Sequence, residues 1–323
     1  GKIKQTEKSE KTEKSEREEL LRIEHLSVTF TQYDGWFSRK TLPVIRDLSL
    51  SVSRGEMVAV VGSSGSGKSL LAHAVMGLLP GNASISGEIS YKGKVLSQQD
   101  KERLRGTEMA LVPQSVSYLD PLMKVGAQVR GDKADSQIRK AQKEIFERFH
   151  LKEETENLYP FQLSGGMARR ILVSTAVLSG ARLIIADEPT PGLDVEMALE
   201  ALQIFRELAD EGKAVVLITH DIDLAFHIAD RIAVFYAGTT VEIADAKDFL
   251  TGKEALRHPY SKALWEALPQ NGLKPIPGFQ PYAKYLPKGC LFSPRCPYKT
   301  GECEKEIPMT EVRGGYVRCI HAD

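Results

Sequence analysis

A glycine-rich octapeptide between an apolar run and a helical pattern constrains this chain more than any other feature. Residues 62–69 read Gly-Ser-Ser-Gly-Ser-Gly-Lys-Ser and match the pattern G-x-x-x-x-G-K-[ST] at every fixed position. The run at 57–61 is typical of a strand buried on both faces, and a helical pattern follows at about 69–79. In a strand–loop–helix unit of this kind, backbone N–H groups point at a polyphosphate. The motif therefore predicts that ATP phosphates are bound by Gly62, Ser63, Ser64, Gly65, Ser66, Gly67, Lys68, Ser69 and Leu70.

The chemistry of this loop and of a second strand end assigns roles to four side chains. Lys68 is expected to reach the β- and γ-phosphates, and the Ser69 hydroxyl to bind Mg²⁺. Another apolar run, at 183–186, ends in Asp187 and Glu188. Because strand ends in such sheets face the ligand crevice, we predict that Asp187 holds the Mg²⁺ shell. Glu188 is predicted to be the general base that polarises a water for attack on the γ-phosphate.

Short apolar runs alternate with helical patterns along most of the chain. Runs at 182–186 and 214–218 are of the same kind as the one before the loop, and helical patterns lie at about 167–179 and 195–211. Strands that alternate with helices predict an α/β fold around a parallel sheet. A charged helical stretch at 136–149 interrupts this alternation.

Length and charge narrow the class of protein. A chain of 323 residues suggests two domains. Its 43 Lys+Arg balance 43 Asp+Glu, so it lacks the basic excess of a nucleic-acid-binding protein, and we expect no nucleic-acid partner. No apolar run approaches the roughly 18 residues of a membrane span. Residues 1–19 form a charged, low-complexity stretch without a signal-peptide pattern, which predicts a disordered tail and a chain on the cytoplasmic side.

The pentapeptide Leu163-Ser164-Gly165-Gly166-Met167, placed between the phosphate loop and the Asp-Glu pair, resembles the signature of ABC ATPases. Residues similar to the family's Q-loop glutamine, D-loop aspartate and switch histidine follow at matching positions, as Gln114, Asp194 and His220. The resemblance covers about residues 20–245. It implies an ABC cassette of the P-loop NTPase class, with a RecA-like core and a helical subdomain at about 116–165.

The same resemblance implies a head-to-tail dimer with two ATP molecules at its interface. On that expectation Ser164 and Gly166 bind the partner's ATP. Gln114 would sense Mg²⁺ and the attacking water, and His220 would contact the γ-phosphate. The segment after the signature departs from the family pattern, since Ala168-Arg169-Arg170 lacks the usual glutamine.

The family also stacks an aromatic side chain on adenine. Phe30 and Tyr33 are the main candidates, and Trp36 and Phe37 lie further along the same segment. The sequence does not separate them.

The C-terminal stretch 246–323 resembles the extension of the oligopeptide/dipeptide/nickel branch of ABC importers. The resemblance is carried by His258-Pro259-Tyr260, by a Pro-rich stretch interpreted as an extended linker, and by four late cysteines with spacing C-x5-C-x6-C-x15-C. The cysteines are Cys290, Cys296, Cys303 and Cys319. Branch members with this spacing carry a [4Fe–4S] cluster, which is the implied ligand.

From the residues alone, four thiolates suit either a cubane cluster or a tetrahedral Zn²⁺, so zinc stays an alternative. Two disulfides are a third interpretation, which a cytosolic chain disfavours.

Together these features predict the ATP-hydrolysing subunit of an ABC importer for oligopeptides or dipeptides. We expect it at the cytoplasmic face of the membrane, with a second ATPase that is non-identical, two transmembrane permease subunits and an extracytoplasmic solute-binding protein. A nickel-chelate or other small-solute importer of the same family is the alternative. A soluble ABC ATPase outside transport is disfavoured, because the chain has one cassette and no coiled-coil insert.

Overall fold

The apolar runs read from the sequence lie side by side as strands of one sheet. The computed structural model describes residues 17–34, 38–63, 67–131, 133 and 135–323. Most of the tail predicted at 1–19 lies outside these residues. In chain order the described strands are β1 (Glu19–Asp34), β2 (Ser38–Ser53), β3 (Met57–Val61), β4 (Ala83–Tyr91), β5 (Lys94–Val95), β6 (Met109–Val112), β7 (Leu183–Asp187), β8 (Ala214–Thr219), β9 (Arg231–Tyr236), β10 (Thr239–Asp245), β11 (Thr310–Val312) and β12 (Gly315–Val317).

The described strands form two sheets. The larger has eight strands in the order β11-β12-β10-β9-β3-β8-β7-β6, in which β9, β3, β8, β7 and β6 run parallel to one another and β10 is antiparallel to β9. This confirms the predicted parallel sheet. The smaller sheet is antiparallel, in the order β2-β1-β4-β5.

Helices connect the parallel strands and cover the larger sheet. They are α1 (Lys68–Met76), α2 (Gln98–Leu104), α3 (Val125–Arg130), α4 (Ser136–Arg148), α5 (Gly165–Leu178), α6 (Val195–Asp210), α7 (Ile222–Ile228), α8 (Ala246–Thr251) and α9 (Pro259–Ala267). Helix α1 ends earlier than the sequence predicts, because Gly77 has φ +70° and its N–H donates to Ala74. Two apolar clusters fill the space on the two faces of the central strands.

The stretch after His258 begins with a helix, so its interpretation as an extended linker is wrong at this point. His258 is the N-cap of α9, and its Nδ1 accepts the N–H of Tyr260 at 3.0 Å. Pro259 occupies the first helical position, where its missing N–H leaves no bond unmade. Complete burial lowers the pKa of His258 to about 3, so its ring is neutral. The His-Pro-Tyr motif therefore starts a helix.

The C-terminal extension joins the cassette's own sheet. Strand β12 pairs antiparallel with β10, and β11 with β12. The predicted limits 20–245 and 246–323 stay predictions, since backbone pairing runs across the proposed boundary.

A buried ion pair fixes the start of the extension. The Arg257 guanidinium lies 3.2 Å from the carboxylate of Glu242, and both side chains are almost completely buried. Glu242 also accepts the backbone N–H groups of Arg257 at 3.0 Å and of His258 at 2.7 Å. Within the described part of the chain, no helix is long and apolar enough to cross a membrane.

We expect Glu242→Ala to lower the free energy of unfolding by about 3–5 kcal/mol, because it removes the buried partner of Arg257 and the acceptor of two backbone N–H groups, and leaves only the partly exposed Asp248, at 2.9 Å, as a carboxylate on that guanidinium. Urea unfolding followed by circular dichroism measures the change. Lys274→Ala is the control: it breaks a largely exposed ion pair with Glu266 and should cost less than about 1 kcal/mol. Equal unfolding midpoints for the two variants would contradict the prediction.

Candidate nucleotide-binding site

The phosphate loop follows β3, as predicted. Gly62 sits so close to β9 that a Cβ atom there would lie 2.5 Å from the carbonyl oxygen of Phe235, so only glycine fits. Gly67 has φ +95° and precedes the first residue of α1. Residues 64–66, which include the predicted Ser64, Gly65 and Ser66, lie outside the described part of the chain.

Lys68 is held within the loop that it closes. Its Nζ donates to the carbonyl oxygens of Gly62 at 2.8 Å and of Ser63 at 2.9 Å. Burial lowers the pKa of Lys68, while the charges of Glu188 and Asp187 oppose that change. A cation buried beside backbone carbonyls is suited to a bound phosphate.

Three oxygen-bearing side chains meet at the start of α1. The Ser69 hydroxyl lies 3.2 Å from the Asp187 carboxylate and 3.4 Å from the side-chain oxygen of Gln114. Burial raises the pKa of Asp187, and the hydrogen bond from Ser69 works against this. A hydroxyl, an amide oxygen and a carboxylate are hard donors that Mg²⁺ prefers, so the donor set fits the predicted magnesium ion.

Glu188 follows Asp187 at the end of β7, where it has the left-handed φ of +47°. This costly conformation points its carboxylate at His220, whose Nδ1 lies 3.0 Å from both carboxylate oxygens. Because an ionised carboxylate only accepts hydrogen bonds, Nδ1 carries the proton. The Glu188 side chain is 9% exposed and the His220 ring 60%, so the ring is able to turn while the carboxylate is held.

One cleft of about 310 Å³ collects most of these groups. Its lining includes the predicted residues Gly67, Lys68, Ser69, Leu70, Gln114 and Glu188. Asp187 is connected to this cleft by its contact with Ser69, and His220 is connected to it by its contact with Glu188.

The signature pentapeptide begins a helix on the surface. Ser164 is the N-cap of α5, and its hydroxyl accepts the N–H of Met167 at 3.2 Å. Ser164 and Gly165 are exposed, Leu163 and Gly166 partly so. The Asp194 carboxylate likewise caps α6 by accepting the N–H of Met197 at 2.9 Å. Both helix starts are thus open to a binding partner.

Arg169 is a connection that the sequence analysis missed. Its guanidinium is buried and donates to the carbonyl oxygen of Pro113 at 3.0 Å, next to Gln114. Burial lowers the pKa of Arg169, and the Asp187 charge raises it. The departure from the signature pattern therefore ties α5 to the residue before Gln114. The only hint in the sequence was the departure itself.

Known proteins with this arrangement cover nearly the whole chain. The family model "ABC transporter" matches residues 45–191, and "Oligopeptide/dipeptide transporter, C-terminal region" matches residues 241–303. The oligopeptide transport ATP-binding protein OppD of Escherichia coli is 33% identical, over 93% of this chain and 92% of its own. The dipeptide transport ATP-binding protein DppD of Bacillus subtilis is 36% identical, over 92% of each chain.

The chain belongs to the ABC transporter ATP-binding proteins. A solved ATP-binding cassette, dimeric and in a post-hydrolysis state with ADP and phosphate, is 27% identical with a TM-score of 0.61. The match covers 99% of that cassette and 70% of this chain. The predicted fold class is confirmed, and the chain is an ABC ATPase that binds ATP with Mg²⁺.

The two adenine candidates of this ABC ATPase differ in their surroundings. Phe30 packs against the apolar cluster beneath the antiparallel sheet. Tyr33 is 77% exposed and lines a cavity that shares Pro43, Ala283 and Leu286 with the phosphate cleft. Trp36 and Phe37 lie outside the described residues. Exposure beside the cleft favours Tyr33 over Phe30.

Part of the cleft wall comes from a segment that the sequence analysis did not connect with ATP. The C-terminal extension contributes Gln280, Pro281, Ala283 and Leu286 to the lining. These residues lie in the Pro-rich stretch interpreted as a linker, and no local pattern indicates a ligand there.

The four cysteines are reduced and near one another, but they do not form a metal site as the structure has them. Burial, the larger cause, and the charges of the other three cysteines raise the pKa of Cys290 to about 11. Among the described residues, no group of three or more His, Cys, Asp or Glu side chains is arranged to hold a metal ion. The Cys303 sulfur instead lies 3.6 Å from the His321 ring. The predicted metal centre therefore stays a prediction.

Backbone N–H groups nevertheless act on each cysteine sulfur. The Cys303 sulfur accepts the N–H of Thr300 at 3.5 Å, and the N–H groups of Phe292, Tyr298 and His321 lower the pKa of Cys290, Cys296 and Cys319 respectively, against the effect of burial. N–H donors stabilise the thiolate form that binds metals. Four thiols with such N–H donors have the chemistry needed to bind a metal or an iron–sulfur cluster as thiolates.

We expect Asp187→Asn to make the nucleotide-free protein more stable by about 1 kcal/mol at neutral pH, as active-site groups often oppose stability. The folded-state pKa of Asp187 is raised, so its ionised form costs stability above that pKa. The gain should therefore shrink as the pH falls toward the unfolded pKa of about 3.9. Urea unfolding from pH 4 to 8 tests this.

The same variant should lose the extra stabilisation that Mg²⁺ adds to ATP in a thermal-shift assay, because a magnesium donor is gone. Glu311→Gln, which neutralises an exposed carboxylate, serves as control and should behave like wild type. A destabilised Asp187→Asn protein at neutral pH would count against the electrostatic explanation.

Proposed function

We propose that this ABC ATPase powers an importer for oligopeptides or dipeptides. The single observation that carries the proposal is the match of both its cassette and its C-terminal region to peptide transporters. An importer for a nickel chelate or another small solute is the alternative within the same family. The C-terminal match argues against a soluble ABC ATPase outside transport.

For the reaction, we assign the phosphates to the loop at 62–69 and the γ-phosphate to Lys68. Ser69, Gln114 and Asp187 would hold Mg²⁺, which would supply positive charge at the phosphate oxygens. Glu188 takes a proton from the attacking water. The left-handed backbone of Glu188 and its burial support this role, because they hold the carboxylate at the cleft.

His220 acts on both the base, Glu188, and the γ-phosphate. Without nucleotide its Nδ1–H donates to Glu188, and the γ-phosphate competes for the exposed ring when ATP arrives. The ring thus stabilises the negative charge on the γ-phosphate. It also leaves the Glu188 carboxylate free to act as the base when a water is bound.

The second ATP site needs a second subunit. The exposed helix start with Leu163, Ser164, Gly165, Gly166 and Met167 binds the ATP of a partner ATPase, which we propose to be non-identical. Asp194 lies at the next exposed helix start and belongs to the same interface. Tyr33 stacks on adenine at the other end of the cleft.

The transmembrane permease subunits contact the helical region that follows Gln114, at about 116–165. Exposed apolar side chains support this surface, among them Val116, Tyr118, Leu122 and Met123. The chain is then peripheral, at the cytoplasmic face of the membrane. An extracytoplasmic solute-binding protein delivers the peptide to the permease.

The four cysteines hold a [4Fe–4S] cluster, with zinc as the alternative. Support comes from the thiol-only donor set and the N–H donor facing each sulfur. Because the pKa of Cys290 is raised to about 11, its thiol would have to lose its proton to serve as a ligand. A bound cluster would stabilise the folded extension around it.

Glu188→Gln should bind ATP but hydrolyse it about 10²–10⁴ times more slowly, because an amide cannot take the proton of the water. Closed dimers should accumulate with ATP, as size-exclusion chromatography and a phosphate-release assay will report. Glu311→Gln alters an exposed acid on the edge strand β11 and should keep wild-type turnover. Normal hydrolysis by Glu188→Gln would remove the assigned base.

Anaerobic purification should give a brown protein with about four iron and four sulfide per chain. Cys303→Ser should lower the iron content, whereas Glu188→Gln should retain it, because that variant changes only the ATP site. A colourless protein with one zinc per chain would establish the alternative.

A further inference from the structure

The C-terminal extension contacts the phosphate loop directly through one residue of that loop. The Ser63 hydroxyl donates to the side-chain oxygen of Gln280 at 2.8 Å, although 217 residues separate the two in sequence. Gln280 belongs to a segment, residues 276–286, that we name the C-terminal strap. Its residues Ala283 and Leu286 line the same cleft as Lys68.

A second residue of the extension lies beside Ser63. Tyr260, in helix α9, is buried, and its ring packs against Tyr236 with the centroids 4.6 Å apart. The carbonyl oxygen of Ser63 accepts from Lys68 at 2.9 Å. The hydroxyl and the carbonyl oxygen of Ser63 are therefore both engaged, and the hydroxyl binds the extension.

The strap is itself fixed in place. The Arg295 guanidinium donates to the carbonyl oxygens of Pro277 at 2.7 Å and of Ile276 at 3.3 Å. It also lies 5.9 Å from the ring centroids of Tyr236 and Phe292. Gln280 therefore approaches Ser63 from a segment held on packed aromatic side chains, and a contact of that kind can restrain a loop.

A phosphate loop binds its ligand through N–H groups that must point the same way, so any contact that holds the loop in one conformation reduces the entropy lost on binding. We propose that Gln280 is a positioning residue that holds Ser63 and so strengthens ATP binding. This inference rests on the proposed function only in placing ATP at the loop. It adds that the ATP site of this chain is incomplete without its C-terminal extension.

The test measures ATP–Mg²⁺ binding by the full-length chain, with a fluorescent ATP analogue, and the ATPase KM and kcat. Gln280→Met keeps the bulk and removes the acceptor. It should raise the Kd and KM for ATP about three- to tenfold, the worth of one hydrogen bond, with kcat unchanged. Gln270→Met is the matched control, since Gln270 donates to Asp223 on α7 and should leave both constants at wild-type values.

A double-variant cycle separates positioning from general damage. Because Gln280 acts through Ser63, Gln280→Met should add little to the effect of Ser63→Ala. Fully additive effects, unchanged KM in Gln280→Met, or tighter ATP binding in that variant would each overturn the inference. If the wild-type chain neither binds nor hydrolyses ATP, the proposed function fails instead.

Discussion

The parallel pairing of β3, β8 and β7 is the constraint on which the site depends. Val61 pairs with Thr219 and Asp187 with Ile218, so the three strands end at the same level. The residues that come next are the phosphate loop, His220 and Glu188. Side chains far apart in sequence thus converge because backbone hydrogen bonds set the register, and no side-chain contact is needed to bring them together. Strand β9 completes this edge by pressing Phe235 against Gly62.

The charges buried at this edge of the sheet neutralise one another only in part. Burial lowers the pKa of Lys68 and of Arg169, and it raises the pKa of Asp187. Each shift reports a charge held where water is scarce. A polyphosphate with its magnesium ion supplies the missing counter-charges, so the ligand relieves a cost that the nucleotide-free protein carries.

The sequence predicted those parts of the molecule that local patterns encode. The three apolar runs at 57–61, 182–186 and 214–218 became the parallel strands β3, β7 and β8, and the residues at their ends met in one cleft because strand direction determines which ends meet. The Gln280–Ser63 bond was beyond reach, since it depends on how a Pro-rich segment folds back over the cassette. The His-Pro-Tyr motif was recognised by resemblance, but its role as a helix start required seeing His258 accept the N–H of Tyr260. The cysteine spacing suggested ligands without fixing the relative positions of four sulfurs on loops.

The seating of the extension on the loop has an evolutionary consequence. Strand β12 extends the cassette's sheet, and Gln280 binds one serine of the loop. A change at position 63 therefore alters the fit of a residue near the other end of the gene. Cassette and extension should co-evolve as one inherited unit, and a chimaera that joins the two parts from distant relatives would have mismatched partners at its ATP site.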